Sequence, residues 1–157
     1  MTTLKRVQLQ AIANLFVRMT NNEDGSPKLI RSRLGYAISR SESRMKEEMA
    51  AIDVMMRPYI EYETKRMGLC QELSEKDENG EPIILEDGSY KGVKENPEWQ
   101  SKIDALQVEY KEQIDEINKM LDEEVGIDFY QIDISELPET MTKQDLEILI
   151  PFIKEPQ

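Results

Sequence analysis

Apolar residues recur every three or four positions through two long stretches of the chain, and that period predicts helices. The first stretch runs from Leu29 to Glu72. Its stripe takes in Ile30, Leu34, Ala37 or Ile38, Met45, Met49, Ile52, Met56 and Tyr59, and resumes through Tyr62, Met67 and Leu73. The second runs from Pro97 to Val125, with Trp99, Ile103, Leu106, Tyr110, Ile114, Ile117 and Leu121 on one face. Asn96 stands as its N-cap and Pro97 at its first helical position. At about 1.5 Å per residue this run spans roughly 40 Å. Two such runs joined by a short connection fold back on each other, so the pattern predicts a long antiparallel helical hairpin over 28–125. Pro58 has no N–H and clashes with the carbonyl of Val54, which predicts a kink or break near Met55 to Arg57. Gly35 marks a close approach by a neighbouring backbone.

Between the two runs lies a turn-rich tip, 76–93. Asn79-Gly80 and Asp87-Gly88 bracket Pro82-Ile83-Ile84-Leu85, a pattern that predicts a short β-hairpin with Ser89-Tyr90-Lys91 as partner. Ahead of the hairpin, residues 1–20 form an N-terminal helix, read from Thr3 to Met19 with its cap near Thr2 or Thr3. It has two apolar stripes: Leu4, Val7, Ala11 and Leu15, then Leu9, Ile12, Phe16 and Met19. A helix apolar around most of its girth must be covered on more than one side. Leu9, Ile12, Phe16 and Met19 therefore stand as candidate partner-contact residues. After Gly126 the period changes. Residues 127–134 are rich in β-formers and predict an extended segment, while Thr142-Lys143-Gln144-Asp145 predicts a capping box with Asp in place of Glu. The short helix it opens continues through Leu146, Leu149, Ile150 and Ile153 and closes near Pro156. No internal repeat is evident. The expectation is a mainly α fold: one elongated domain over 1–157, consisting of a kinked antiparallel hairpin with a β-hairpin tip, an N-terminal helix and a small α/β C-terminal tail over 126–157.

Charge changes this picture in one respect. The chain has 157 residues and a formal charge of −12, but residues 1–67 carry a formal +4 and residues 68–157 a formal −16. Folding back brings a basic half against an acidic half, and that complementarity sets the pairing. Lys28, Arg31, Arg33, Arg40, Arg44 and Lys46, interspersed with serines, could instead grip phosphates. Pairing with the acidic third helix, or with the acidic tail of a second copy, is the favoured reading. The overall charge makes nucleic acid an unfavoured partner. The acidic third helix, with Asp104, Glu109, Glu112, Asp115, Glu116 and Asp122 to Glu124, could imitate a phosphate backbone, although a solvated helix face has the same composition.

Candidate chemistry is sparse. There is no histidine, which removes the commonest acid–base group and metal ligand. The single cysteine, Cys70, has no neighbouring base and reads as a small core residue. Glu75 to Glu86 places oxygen ligands and a glycine at the spacing of a helix-loop-helix calcium loop. Glu at position 1, Pro82 at position 8 and the turn after Glu86 depart from that motif, so a plain tip is expected. No catalytic residues, cofactor or metal are expected, and no enzyme. The N-terminus lacks the apolar core of a signal peptide, and no apolar run approaches a membrane span of about 18 residues. A soluble, intracellular protein is expected.

The chain resembles a group of uncharacterised proteins found widely in bacterial virus genomes. The resemblance rests on Lys28-Leu29-Ile30-Arg31 through Tyr36-Ala37-Ile38-Ser39-Arg40, then Tyr62 and Arg66, then Lys76-Asp77-Glu78-Asn79-Gly80-Glu81-Pro82 with Gly88-Ser89-Tyr90. It continues into Glu123 to Asp128 and the closing helix from Thr142, covering 28–153. Met1 to Pro27 matches less well. The resemblance implies an origin and no activity. It makes the expected job that of a non-enzymatic phage-type interaction protein, in the virion or host cytoplasm. Such a protein would contact a protein partner or further copies of itself, with Leu9, Ile12, Phe16, Met19, Arg31, Arg33, Arg40 and Arg44 as the candidate surface. The alternative is an acidic inhibitor of a host protein, such as a nucleic-acid-mimicking anti-defence factor.

Overall fold

Five α-helices and one two-stranded antiparallel sheet account for the regular structure of residues 1–155, which are those described by this computed structural model. In chain order they are β1 (Thr2–Lys5), α1 (Arg6–Thr20), α2 (Ser32–Met55), α3 (Arg57–Leu73), α4 (Trp99–Asp122), β2 (Glu124–Ile127) and α5 (Lys143–Leu149). Short 3₁₀ turns cover Ile134–Glu136 and Ile150–Phe152. The expected run of the last helix through Ile150 and Ile153 stops at Leu149, where a 3₁₀ turn takes over, and Pro156 lies outside the described residues. The fold is therefore mainly α, with a small sheet. The chain divides into two compact units, Met1–Val54 with Lys119–Gln157, and Met55–Asn118.

The long helical run is interrupted where Pro58 requires it. Met56 sits between α2 and α3 with φ −76° and ψ −8°, and Pro58 falls in the first turn of α3, where its missing N–H costs nothing. A Cβ at Gly35 would come within 3.2 Å of the Ile30 side chain, so the crowding there is from a side chain and not from a neighbouring backbone.

In the first unit the chain starts differently from the expected helix. Thr2–Lys5 is extended and pairs with β2, Thr2 opposite Ile127 and Leu4 opposite Val125. Leu4 points into the core at 4% exposure. The helix begins only at Arg6, and the Gln8 side-chain carbonyl accepts the Lys5 N–H at 2.8 Å. Two threonines and an alternating neighbour favour a strand once another edge is available, and β2 supplies it. Leu9, Ile12 and Phe16 of α1, Leu34, Ile38, Met45 and Ile52 of α2, and Ile132, Leu149 and Phe152 of the C-terminal segment are all essentially unexposed. Phe16 and Phe152 meet edge to face with centroids 5.0 Å apart. Of the expected β-rich segment 127–134 only Ile127 lies in a strand, since β2 ends there. Beyond it, Ile132 alone pairs, in parallel, with Ile153: its N–H donates to Phe152 O at 3.1 Å and its carbonyl accepts from Lys154 N at 2.8 Å. The capping box of α5 forms as expected. Thr142 Oγ1 accepts the Asp145 N–H and Asp145 Oδ2 accepts the Thr142 N–H, both at 3.1 Å.

In the second unit α3 and the first part of α4 run antiparallel, since Glu72 meets Lys102 while Lys65 meets Glu109. Ile103, Leu106 and Tyr110 form their buried seam, with Tyr62, Leu69, Trp99 and Ile114 packed against it. Cys70 is buried, in keeping with a core role. α4 starts at Trp99, two residues later than expected, and Asn96 sits in the turn ahead of it: its side chain accepts the Glu98 N–H at 3.0 Å and its amide reaches back to the Leu73 carbonyl at the end of α3.

The tip is built from turns, not from a regular hairpin. Its only pairings are the isolated bridges Lys76–Pro82 and Ile84–Tyr90. Both close the same seven-residue turn. The N–H of Asp77 donates to Glu81 O and that of Gly80 to Asp77 O; eight residues on, Leu85 donates to Ser89 O and Gly88 to Leu85 O. Glu75, Ile83 and Lys91, also eight apart, close a ring of three backbone hydrogen bonds of 2.8 to 3.0 Å. The loop Asn21–Pro27 in the first unit is a third copy, with Gly25 donating to Asn22 O and Asn22 to Ser26 O. The fifth residue of each turn is glycine, at φ 79° to 81°, where a side chain would be strained. The three share only Glu, Asp or Asn, and Gly at their centres, too little for a sequence comparison to register.

Candidate functional site

The expected contact stripe on α1 is not a surface. Leu9, Ile12 and Phe16 are fully buried and Met19 is 7% exposed, all within the chain's own first unit. The other stripe is largely covered as well, with Leu4 and Leu15 buried, Ala11 half-buried and only Val7 exposed. The sequence showed correctly that α1 needs cover on two sides. It could not show that β1, α2 and the C-terminal segment of the same chain provide that cover.

The basic face is divided by its partners. Arg31 donates to the Ser135 carbonyl at 2.7 Å, Arg33 lies 3.7 Å from Glu136, and Arg44 donates to the Asp128 carbonyl at 2.6 Å with its carboxylate at 3.2 Å. Arg18 pairs with Asp145 at 2.9 Å. The arginines therefore meet the acidic segment 128–145 of the same chain, not the third helix. This engagement works with Thr142 to hold the Asp145 carboxyl below its usual value: the Thr142 backbone N–H contributes most, then its hydroxyl, then Arg18. Arg40 is exposed and has no ion-pair partner among the described residues. Reversing Arg44 to Glu is expected to cost about 1–2 kcal/mol, because it sets a carboxylate against Asp128 and orphans its carbonyl. Reversing Arg40 should stay within about 0.5 kcal/mol. Thermal melts of the two variants check the difference. A DNA or RNA titration of the wild type checks the corollary, that no tight, steeply salt-dependent binding exists.

Sequence reasoning missed Arg6, the most connected side chain of the first unit. Its guanidinium donates to Glu48 at 3.2 Å, to Glu123 at 2.5 Å and to the Met120 carbonyl in the last turn of α4 at 3.2 Å. Glu123 first and Glu48 second push its pKa up. In the second unit a comparable cluster surrounds Tyr110. Its hydroxyl donates to Glu61 at 2.7 Å, which holds the Glu61 carboxyl down and the phenol up. Lys65 lies 4.9 Å from the Tyr110 ring centre and 2.9 Å from Glu109, and its pKa is raised by both, Tyr110 first. All these groups bind one another.

The calcium-like spacing falls on two consecutive turns, 76–82 and 84–90. Asp77 Oδ1 accepts the N–H groups of Asn79 and Glu81 at 2.8 and 3.0 Å, so the first strong ligand is used to close the turn. Among the described residues no group of three or more acidic or sulfur ligands could hold a metal ion.

An apolar groove of about 340 Å³ lies at the C-terminal segment of the first unit. Ile134, Leu146, Ile150 and Ile153 line it, with Lys143, Glu147 and Lys154 on its rim. Ile134 is 60% and Ile150 65% exposed, whereas adjacent Leu149 is fully buried. Leu146, Leu149, Ile150 and Ile153 all fit one helical stripe, so periodicity alone cannot say which of them face outward. A second groove, about 600 Å³, lies between α1 and α2 along Ala13, Val17, Met45 and Met49, where burial raises the Glu42 carboxyl pKa.

These features define a mainly α-helical protein with a two-stranded antiparallel sheet and apolar grooves on helix faces. No helix among the described residues is long and apolar enough to cross a membrane. No protein family, curated protein or solved structure matches the chain.

Proposed function

We propose that this chain is a non-enzymatic interaction protein of bacteriophage type, a virion or assembly component or an accessory factor in the host cytoplasm, acting through protein–protein contacts. The observation that carries this reading is the C-terminal groove, where Ile134 and Ile150 stand open beside a fully buried core. Large apolar side chains gathered in a concave surface with charged groups at the rim suit a partner's apolar side chains. The phage assignment rests on the resemblance described above. The long kinked hairpin over 28–125 and the α/β tail belong to the same proposal. The break at Met56 and the ion pairs between α3 and α4 support them.

Phosphate mimicry by α4 ranks second. Met55–Asn118 carries 16 acidic and 8 basic side chains, but lysines are set among the carboxylates of α4 and break their row. Lys65 pairs with Glu109, Lys111 with Asp115 and Lys5 with Asp122.

Capture from infected and host lysates, with mass spectrometry, tests the first reading when wild type is compared with the Ile134→Glu/Ile150→Glu double variant. Both positions are solvent-exposed, so the melting temperature should hold. A specific partner should be lost. A partner retained by a folded double variant would remove the groove from the account. Competition of that partner by duplex DNA would favour mimicry.

A further inference from the structure

We infer that the groove between α3 and α4 binds the same groove of a second copy of this chain, stacking two helical hairpins face to face. This deepens the interaction function proposed above and rests on it. The groove has a volume of about 540 Å³. Its floor is Gly68, Leu69, Ala105 and Leu106. A side chain added at Gly68 would meet nothing within 4 Å, so the wall is open where the helix is thinnest. The surface continues past Gly68 onto Ile60 and Met67, both exposed on the outer side of α3. Two helices in a single layer cover only one face of each. Pairing two such layers gives a four-helix arrangement that covers a second.

Charge selects the occupant. Four charged groups stand at the corners of the groove: Glu72 and Lys102 at the end nearer the tip, 2.7 Å apart, and Lys65 and Glu109 at the other end, 2.9 Å apart. Along α3 the signs run plus then minus from Lys65 to Glu72; directly across on α4 they run minus then plus. Rotating a second copy by 180° about an axis along the helices places Glu72 against Lys102 and Lys65 against Glu109. Rotating it about an axis across the helices places Lys65 against Glu72 and Lys102 against Glu109. Every corner meets its opposite in both cases, so the pattern is self-complementary in the way a two-fold interface requires. Glu61 and Glu98, one turn outward, pair with the same two lysines at 3.6 and 3.3 Å and hold them at their corners. A partner carrying charge of one sign along its length would repel two of the four corners.

Sedimentation equilibrium of the full chain at physiological salt, from about 1 to 100 µM, tests the pairing. The expected mass rises with concentration toward twice the 18.3 kDa of one chain. Ala105→Arg and Gly68→Leu each fill the floor at a position open to solvent, and each should weaken association about tenfold or more while circular dichroism and melting hold. Lys102→Glu should do the same, and mixing it with a Glu72→Lys or Glu109→Lys chain should restore a heterodimer. Rescue by Glu72→Lys places the axis along the helices, and rescue by Glu109→Lys places it across them. Wild type that stays monomeric throughout overturns the inference, as does a dimer untouched by folded floor variants or a Lys102→Glu chain that neither mixture rescues. A monomer that still captures a lysate partner through Ile134 and Ile150 would sink this pairing and leave the interaction function standing.

Discussion

Replacing Phe16 by alanine is expected to cost about 3–5 kcal/mol, the range for a fully buried aromatic side chain. The ring is unexposed and meets Phe152 edge to face at 5.0 Å, so its removal opens a cavity and ends an aromatic contact. The same pair ties α1 to the C-terminal segment, which has little regular structure of its own. Its few tethers include the Ile132–Ile153 bridge and the Ser41 hydroxyl, which accepts the Tyr130 N–H at 3.0 Å. A fall in melting temperature of roughly 10 °C or more should accompany the loss. Phe152→Ala should have a similar effect, and the double variant should cost less than the two singles added, because both remove one shared contact. Denaturant melts of the three variants give the comparison. A Phe16→Ala chain as stable as wild type would mean that α1 is not covered by its own chain.

Arg6→Ala is expected to cost about 2–3 kcal/mol, since three acceptors lose a charged donor together. Two of them, Glu48 and Glu123, are carboxylates left facing each other's charge, and the third is a carbonyl at the C-terminal end of α4, where a cation is favoured. Arg6→Lys should recover less than half of the loss. A lysine ammonium on a flexible stem cannot place donors toward three separate acceptors as the planar guanidinium does. Urea melts of wild type, Arg6→Ala and Arg6→Lys measure the order. Equal stability of the lysine variant would show that charge alone matters there.

What the sequence determined by itself is the local structure with a local cause. Pro58 cannot continue a hydrogen-bond ladder, so the helix breaks at Met56. The Thr142–Asp145 pair carries its own cap, and the period-three-and-four stripes through α2 and α4 are helices because the apolar residues must share a face. Tertiary structure decided everything that depended on a partner distant along the chain. Thr2–Lys5 became a strand because Glu124–Ile127 offered an edge, although its own pattern could equally begin a helix. Leu9, Ile12, Phe16 and Met19 became core because β1, α2 and Phe152 cover α1, whereas Ile134 and Ile150, no less apolar, stayed open. Arg31, Arg33 and Arg44 found carboxylates and carbonyls of residues 128–136 while Arg40 did not, because a charge run records only its sign and solvent-exposed pairing leaves no trace in spacing. Apolar period fixes which residues share a face. Which face is then buried depends on where the rest of the chain comes to lie, and that is a property of the packed structure alone.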